Sequence, residues 1–319
     1  MKKILALIMA IMMMVGMVSV STAETEDEIY IGILAPVASH GWVAGVAYYA
    51  QQTADESGVK YTMLTAENAE EMSSGIEQFI SMGVDAIVIW PQFTGVATAA
   101  EKALDAGIVI YNFDMLIEVS EEYADHENLY VLTGDNYGMG VEGAKYIVEK
   151  IGTEGTVLIM DVPTSGNVAA DRKAGFEDTV AEIAPDLNLV TIATAFVAAD
   201  AQADMADALT ANETIDAVFS MDDESSIGAL QAIVEAGRTD IKAITGGGGC
   251  QKYFGMMNEE TYEGIAISSA TYSPTMISTC IENCIKVLQG EEIENLIVDP
   301  TVIVDAENVA EFLDENSPY

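Results

Sequence analysis

One rhythm runs the length of this chain: a short apolar run, an amphipathic stretch, then a glycine. Strand-like segments at 29–34, 61–64, 86–90 and 109–113 alternate with helix-like segments at 42–57, 72–82 and 97–106, which close on Gly58, Gly83 and Gly107. Strand, helix and glycine repeating at this spacing predict parallel βαβ units with helices on both faces of the sheet. The alternation restarts after 129–132, with strands near 157–160, 189–193, 217–219 and 242–245. A chain of this length is too long for one small core and suits two α/β domains. The segment Thr133-Gly134-Asp135, where one alternation ends and the next begins, is the expected crossing between them. A helix over 274–288 comes late and is expected to pack back on the first domain.

The chain begins MKKILALIMAIMMMVGMVSVSTAETE. Two lysines precede an uncharged apolar run, and Ser21 and Ala23 fit a cleavage site before Glu24, so residues 1–23 read as an export signal. A transmembrane anchor is the alternative, with a run near the short end of spanning length. No cysteine stands near Ala23 to carry a lipid, which leaves a freely soluble exported protein at the periplasmic or extracellular face of the membrane.

Removing residues 1–23 takes away two lysines and no acids, so the formal charge moves from −40 to −42. Phosphates would be repelled over the whole surface, which excludes ordinary nucleic-acid binding and disfavours anionic lipids and anionic ligands. Cys250, Cys280 and Cys284 are an odd number with no histidine nearby, and read as small buried residues, with a disulfide or metal site as the alternative.

The stretch 217–237, AVFSMDDESSIGALQAIVEAG, carries the densest chemistry. A buried strand, Ala217-Val218-Phe219, leads into Asp222, Asp223 and Glu224. Ser225 or Ser226 is expected to cap a helix that sets Ile227, Leu230, Ile233 and Val234 on one apolar side and ends at Gly237. Ligands of open α/β sheets sit beyond the carboxyl ends of strands, so these acids are candidate site residues. The stretch resembles the second domain of type I periplasmic sugar-binding proteins, the ribose-binding group, where Asn-Asp-Glu commonly stands; here the first member is Asp222.

That resemblance implies an α/β fold of two doubly wound parallel-sheet lobes joined by a three-segment hinge. The crossings would lie near Gly134, near 269–272 and near 298–300. The first lobe would comprise residues 24–134 and 271–298, the second 135–270 and 299–319.

The resemblance also implies a ligand set. In the loop APVASHGW at 35–42, Trp42 would stack on the apolar face of a sugar, with His40 beside it; a core residue and a surface histidine are the alternatives. Trp90 would be a second wall. Asp114 keeps an acid that can accept two hydroxyl bonds, while Met115 replaces the usual Arg; capping the next segment is its other reading. Arg172, just before Gly175-Phe176 and one of only two arginines, would bridge ligand oxygens against Asp114 or Asp222, with a surface ion pair as the alternative. Gly248 stands where an acid is usual, giving a backbone close to a bulkier ligand or a flexible loop without contact, with Gln251 as a replacement polar group. Thr271, with Tyr272 next to it, falls where relatives often carry Gln.

These readings describe a solute-binding protein, a monomer without cofactor or metal, that closes on a small neutral ligand and hands it to the permease of an ABC importer. A sensor presenting its closed form to a membrane receptor or kinase would use the same fold. A hydrolase with Asp222, Asp223 or Glu224 as paired carboxylates would be an enzyme. No nucleophile–base–orienter set supports that, and the glycine run at 246–249 lacks the Lys-Ser/Thr of a phosphate loop.

Overall fold

The structure, a computed structural model, describes residues 28–38 and 41–319. The export-signal reading of residues 1–23 and the ligand reading of His40 therefore lie outside the described residues. No helix among the described residues is long and apolar enough to cross a membrane.

The first half winds as β1 (Tyr30–Pro36), α1 (Gly41–Ser57), β2 (Lys60–Ala66), α2 (Ala69–Met82), β3 (Ala86–Ile89), α3 (Ala97–Asp105), β4 (Val109–Phe113) and β5 (Leu129–Gly134). The second repeats the pattern with α4 (Asn136–Ile151), β6 (Glu154–Asp161), α5 (Asn167–Ile183), β7 (Asp186–Ala193), α6 (Ala198–Ala211), β8 (Ala217–Ser220), α7 (Asp223–Glu235), β9 (Ala243–Gly247), α8 (Gln251–Met256) and β10 (Ala266–Ala270). Then come α9 (Met276–Leu288), β11 (Leu296–Asp299) and β12 (Ile303–Asp305).

Two six-stranded sheets result, ordered β2-β1-β3-β4-β5-β11 and β7-β6-β8-β9-β10-β12. All pairings are parallel except β12 against β10. Each sheet reverses its winding direction once, between β1 and β3 and between β6 and β8, and a crevice opens at the carboxyl ends of such strands.

Both faces of the first sheet are covered. Ile31, Ile33, Val88 and Tyr111 face α1 and α9, where Val43, Val46, Ile277, Ile281 and Cys284 pack against them. Leu34, Ile87, Ile89 and Ile110 face α2 and α3, through Met72, Ile76, Phe79 and Leu104. The late helix thus belongs to the first lobe. Asn283 donates to the Tyr111 hydroxyl at 3.3 Å and Thr53 to Ser278 at 2.7 Å, fixing α9 on the sheet and on α1.

The chain passes from the first sheet to the second after β5, returns between β10 and α9, and leaves again between β11 and β12. β10, β11 and β12 have no counterpart among the sequence-expected strands. β11 and β12 are short edge strands of four and three residues, and most of their side chains are exposed or half-buried, so they lack an apolar run.

Local chemistry corrects two expectations about α7. Its cap is Asp222, not Ser225 or Ser226: the carboxylate accepts from the Glu224 and Ser225 amides at 3.0 and 3.2 Å. The serine hydroxyls instead donate to carbonyls, Ser225 to Ala195 and Ser226 to Asp222 and Thr245. Ile227, Leu230 and Ile233 are buried, but Val234 is 42% exposed, one position past the covered face.

Candidate functional site

The carboxyl ends of the two sheets face each other across a cleft of about 520 Å³. From the first lobe, β3 and β4 lead directly into Trp90 and Asp114 at its wall, and α1 brings Trp42. Trp42 lies in an aromatic cluster: its ring stacks on Phe113 (6.0 Å between centroids, 6° between planes) and meets Trp90 edge-on at 5.1 Å. It is 8% exposed, a core residue whose remaining surface lines the cleft. Its indole nitrogen is already committed, donating to the Tyr272 carbonyl at 2.8 Å.

Asp114 occupies a left-handed turn, φ 65°, that few side chains tolerate and that Asp accepts more readily than most. Asn112 holds this turn by accepting from the Ile117 amide at 2.7 Å and donating to the Phe113 and Met115 carbonyls. Burial pushes the Asp114 carboxyl above its usual range, opposed by the Tyr272 hydroxyl, which donates to it, and by the charge of Arg172. The Trp90 N–H also lowers it, although that N–H makes no geometrically ordinary hydrogen bond among the described residues.

Arg172 comes from the second lobe, and two glycines put it there. A Cβ on Gly140 would lie 2.0 Å from the Arg172 carbonyl oxygen, and one on Gly175 would lie 2.1 Å from that of Tyr137. Helices α4 and α5 therefore touch backbone to backbone. Arg172, 5% exposed, then donates from Nε to Asn136 on α4 at 2.9 Å and from Nη1 to the Met221 carbonyl at 2.7 Å. Its guanidinium lies 4.7 Å from the Tyr272 ring centroid and 5.9 Å from that of Phe196, in cation–π reach of both. Its expected carboxylate partners are bonded elsewhere, Asp114 to Tyr272 and Asp222 to the start of α7, so Arg172 reaches them through its field alone. The other arginine, Arg238, is paired with Asp240 at 2.6 Å.

The three consecutive acids have three jobs. Asp222 caps α7 and lines the cleft, and burial pushes its carboxyl up to about 6. Asp223 is fully buried beneath the cleft and accepts from the Gly249 and Cys250 amides, each at 2.8 Å, and from the Ser269 hydroxyl at 3.0 Å; burial pushes it up to about 7. Glu224 lines the cleft and accepts from the Gly41 amide at 3.4 Å, across the lobes.

Gly248 also lines the cleft, and the flexible-loop reading of it does not hold. The loop is pinned rather than flexible, because Gly248 donates to the Ala270 carbonyl at 3.0 Å and its two successors donate to Asp223. The space beside it holds Tyr319, whose hydroxyl would lie 2.9 Å from an added Cβ; the φ of 133° independently demands glycine. Gln251 is turned away from the cleft wall, bonding the Phe312 carbonyl and the Asp314 amide.

Thr271 is not at the cleft. Its hydroxyl accepts from the Val302 amide at 2.9 Å and its carbonyl from the Thr301 hydroxyl at 3.0 Å, which fastens two crossings together. Its neighbour Tyr272 takes the wall position. The Tyr272 ring lies on Gly134, where a Cβ would come within 2.2 Å of it, and its hydroxyl accepts from Asn136 at 3.2 Å. Phe196, which lines the cleft beyond β7, was announced only by being an aromatic just past a strand end. Tyr319 belongs to no repeating element, so no periodicity pointed to it.

The chain is similar to known proteins over most of its length. Residues 31–292 match the family described as the periplasmic binding protein domain. The ribose import binding protein RbsB of Bacillus subtilis (strain 168) is 27% identical over 227 residues, 70% of this chain and 71% of that protein. The galactofuranose-binding protein YtfQ of Escherichia coli (strain K12) is 27% identical over 246 residues, 73% and 76% of the two chains. An ABC transporter periplasmic solute-binding protein from Actinobacillus succinogenes 130z, solved with bound D-allose, superposes with a TM-score of 0.79 at 24% identity, over 89% of this chain and 99% of that one. Since the matched span runs through both sheets and the cleft between them, the chain belongs to the periplasmic binding protein family, as a two-lobed type I binding protein and not an enzyme.

Proposed function

We propose that the protein captures a small neutral sugar or polyol in this cleft, outside the cell membrane, and delivers it to the permease of an ABC importer. The observation that carries the reading is the pairing of aromatic walls with a carboxylate–guanidinium set at the carboxyl ends of both sheets. Aromatic faces match the C–H faces of a sugar ring, and fixed acceptors and a donor fork match its hydroxyls. In this reading Trp42 and Trp90 form the apolar wall, Asp114 and Asp222 accept from ligand hydroxyls, and Arg172 donates. Phe196 and Tyr272 lie within cation–π reach of the guanidinium and restrict where it points.

Three carboxylates and one guanidinium line the cleft, and the chain carries a formal −42 once residues 1–23 are removed, so an anionic solute is disfavoured. The similar proteins, a ribose importer component, a galactofuranose binder and a protein holding D-allose, support the sugar class. The comparisons lend no support to the sensor reading. The lobes, 24–134 with 271–298 and 135–270 with 299–319, open and close about their three crossings, and ligand favours the closed state by touching both. The protein works as an exported monomer.

The test is isothermal titration calorimetry of the exported protein against monosaccharides, polyols, nucleosides and amino acids. Binding of a sugar or polyol that disappears in Arg172→Ala is the expected result. Binding of only a nucleoside or an amino acid would overturn the ligand class.

A further inference from the structure

The segment after β12 has no part in either sheet, yet its last side chain is one of the most deliberately housed in the molecule. Tyr319 is 7% exposed and lines the cleft. Three glycines clear its slot. On the first-lobe helix α1, a Cβ at Gly41 or at Gly45 would come within 3.2 Å of Tyr319; on the second lobe, one at Gly248 would lie 2.9 Å from its hydroxyl. A Cβ at Gly248 would force the phenol to move, and one at Gly41 or Gly45 would crowd Tyr319.

The approach to the slot is fastened on both lobes. Gln251 of the second lobe donates from its side chain to the Phe312 carbonyl at 3.2 Å, accepts from the Asp314 amide at 2.8 Å, and donates from its backbone to the Tyr319 carbonyl at 3.0 Å. From the first lobe, the Tyr49 hydroxyl donates to Ser317 at 3.0 Å, and Ser317 donates on to the Tyr319 carbonyl at 3.1 Å. Residues 312–319 therefore bond to both lobes, independently of the three crossings, and end in the cleft with Tyr319. Burial, with the nearby charges of Asp223, Asp222 and Glu224 adding to it, holds the phenol's pKa well above the usual value. It stays a neutral hydroxyl that can donate or accept at the wall of the cleft.

We propose that Tyr319 is a ligand-contacting, selectivity-determining residue of the cleft, carried there by a strap over residues 312–319 that ties the two lobes. This rests on the sugar-binding reading above. A neutral hydroxyl on a rigid ring, placed between the two lobes, distinguishes sugars by the position of a single ligand hydroxyl and by the room left beside it.

The experiment titrates D-ribose, D-galactose, D-allose, xylitol and myo-inositol into wild type, Tyr319→Phe and Tyr319→Ala, with Arg172→Ala as a comparison. Small-angle scattering of the unliganded wild type and of a chain stopped after Phe312 accompanies it. The expected result is a loss of tenfold or more in affinity for the preferred sugar in Tyr319→Ala, a changed order of preference in Tyr319→Phe, and a larger radius of gyration without the strap. Melting of each unliganded variant separates lost contacts from lost folding. Unchanged affinities and order in both Tyr319 variants, with binding abolished in Arg172→Ala, would sink this proposal and leave the sugar-binding reading intact. Tighter binding in Tyr319→Ala would also overturn it, since the ring would then be a plug. If wild type bound none of the five while the strapless chain still expanded, the ligand class would fail and the strap would stand.

Discussion

Replacing Asp223 by Asn should flatten the pH dependence of stability. Asp223 is fully buried, with its carboxyl pushed from an ordinary 3.8 to about 7 by desolvation. A carboxyl whose folded pKa is raised binds its proton more tightly in the native state, so its favourable contribution is complete below the unfolded pKa. That contribution is lost as pH rises through the folded value. The window here runs from about pH 4 to about pH 7. At about 1.4 kcal/mol per pH unit, ionising this group in place costs on the order of 4 kcal/mol. Asparagine keeps the geometry: its carbonyl oxygen can take the place of Oδ2, and its amide falls where Oδ1 has no hydrogen-bond partner among the described residues. Urea unfolding at pH 5 and pH 8 measures the difference between variant and wild type, which cancels the repulsion among the surface acids. The variant should gain a few kcal/mol on wild type between the two pH values. An equal slope for both proteins would refute the claim that Asp223 carries this cost.

Other substitutions probe separate contacts. Gly140→Ala places a methyl 2.0 Å from the Arg172 carbonyl oxygen and should force α4 and α5 apart, costing about 1–3 kcal/mol in urea midpoint analysis and weakening ligand binding together with it. Trp42→Phe keeps an aromatic wall but strands the Tyr272 carbonyl, for about 1 kcal/mol of stability by the same assay. Tyr272→Phe removes the donor to Asp114; the buried carboxyl should then titrate still higher, which a carboxyl-labelled NMR titration reads directly. Arg172→Lys cannot serve both the Asn136 and Met221 acceptors with a planar fork, and should lower sugar affinity tenfold or more in calorimetry.

The repeated strands and helices were legible because each combines two readable signals: an apolar run that must be buried, and a glycine that must adopt a left-handed turn. Gly58, Gly83, Gly107 and Gly237 all have positive φ where helices were expected to stop. The edge strands β11 and β12 were not legible, since strands covered on few sides need no apolar pattern. At the cleft, residues sitting directly at strand ends could be found by position: Trp90, Asp114, Asp222 and Gly248 all line it. What adjacent letters could not reveal was the division of labour among Asp222, Asp223 and Glu224, which depends on a rotation of about 100° per residue at the start of a helix. Thr271 and Tyr272 show the same limit at its sharpest. One residue of register decides which side chain points to the crossings and which to the cleft.

The interleaving of the two sheets has a consequence for the order in which the molecule can be built. A ribosome releases β1 to β5 first, but the helix that covers one face of their sheet, α9, and the strand that completes its edge, β11, emerge only after the whole run from α4 to β10. Until then Ile31, Ile33, Val88 and Tyr111 have no α9 to shield them. The second sheet is nearly contiguous and needs only β12 from the last stretch of chain. Synthesis from the N-terminus therefore completes neither sheet until near its end, and the half made first stays open, and accessible to a chaperone, through the whole run from α4 to β10.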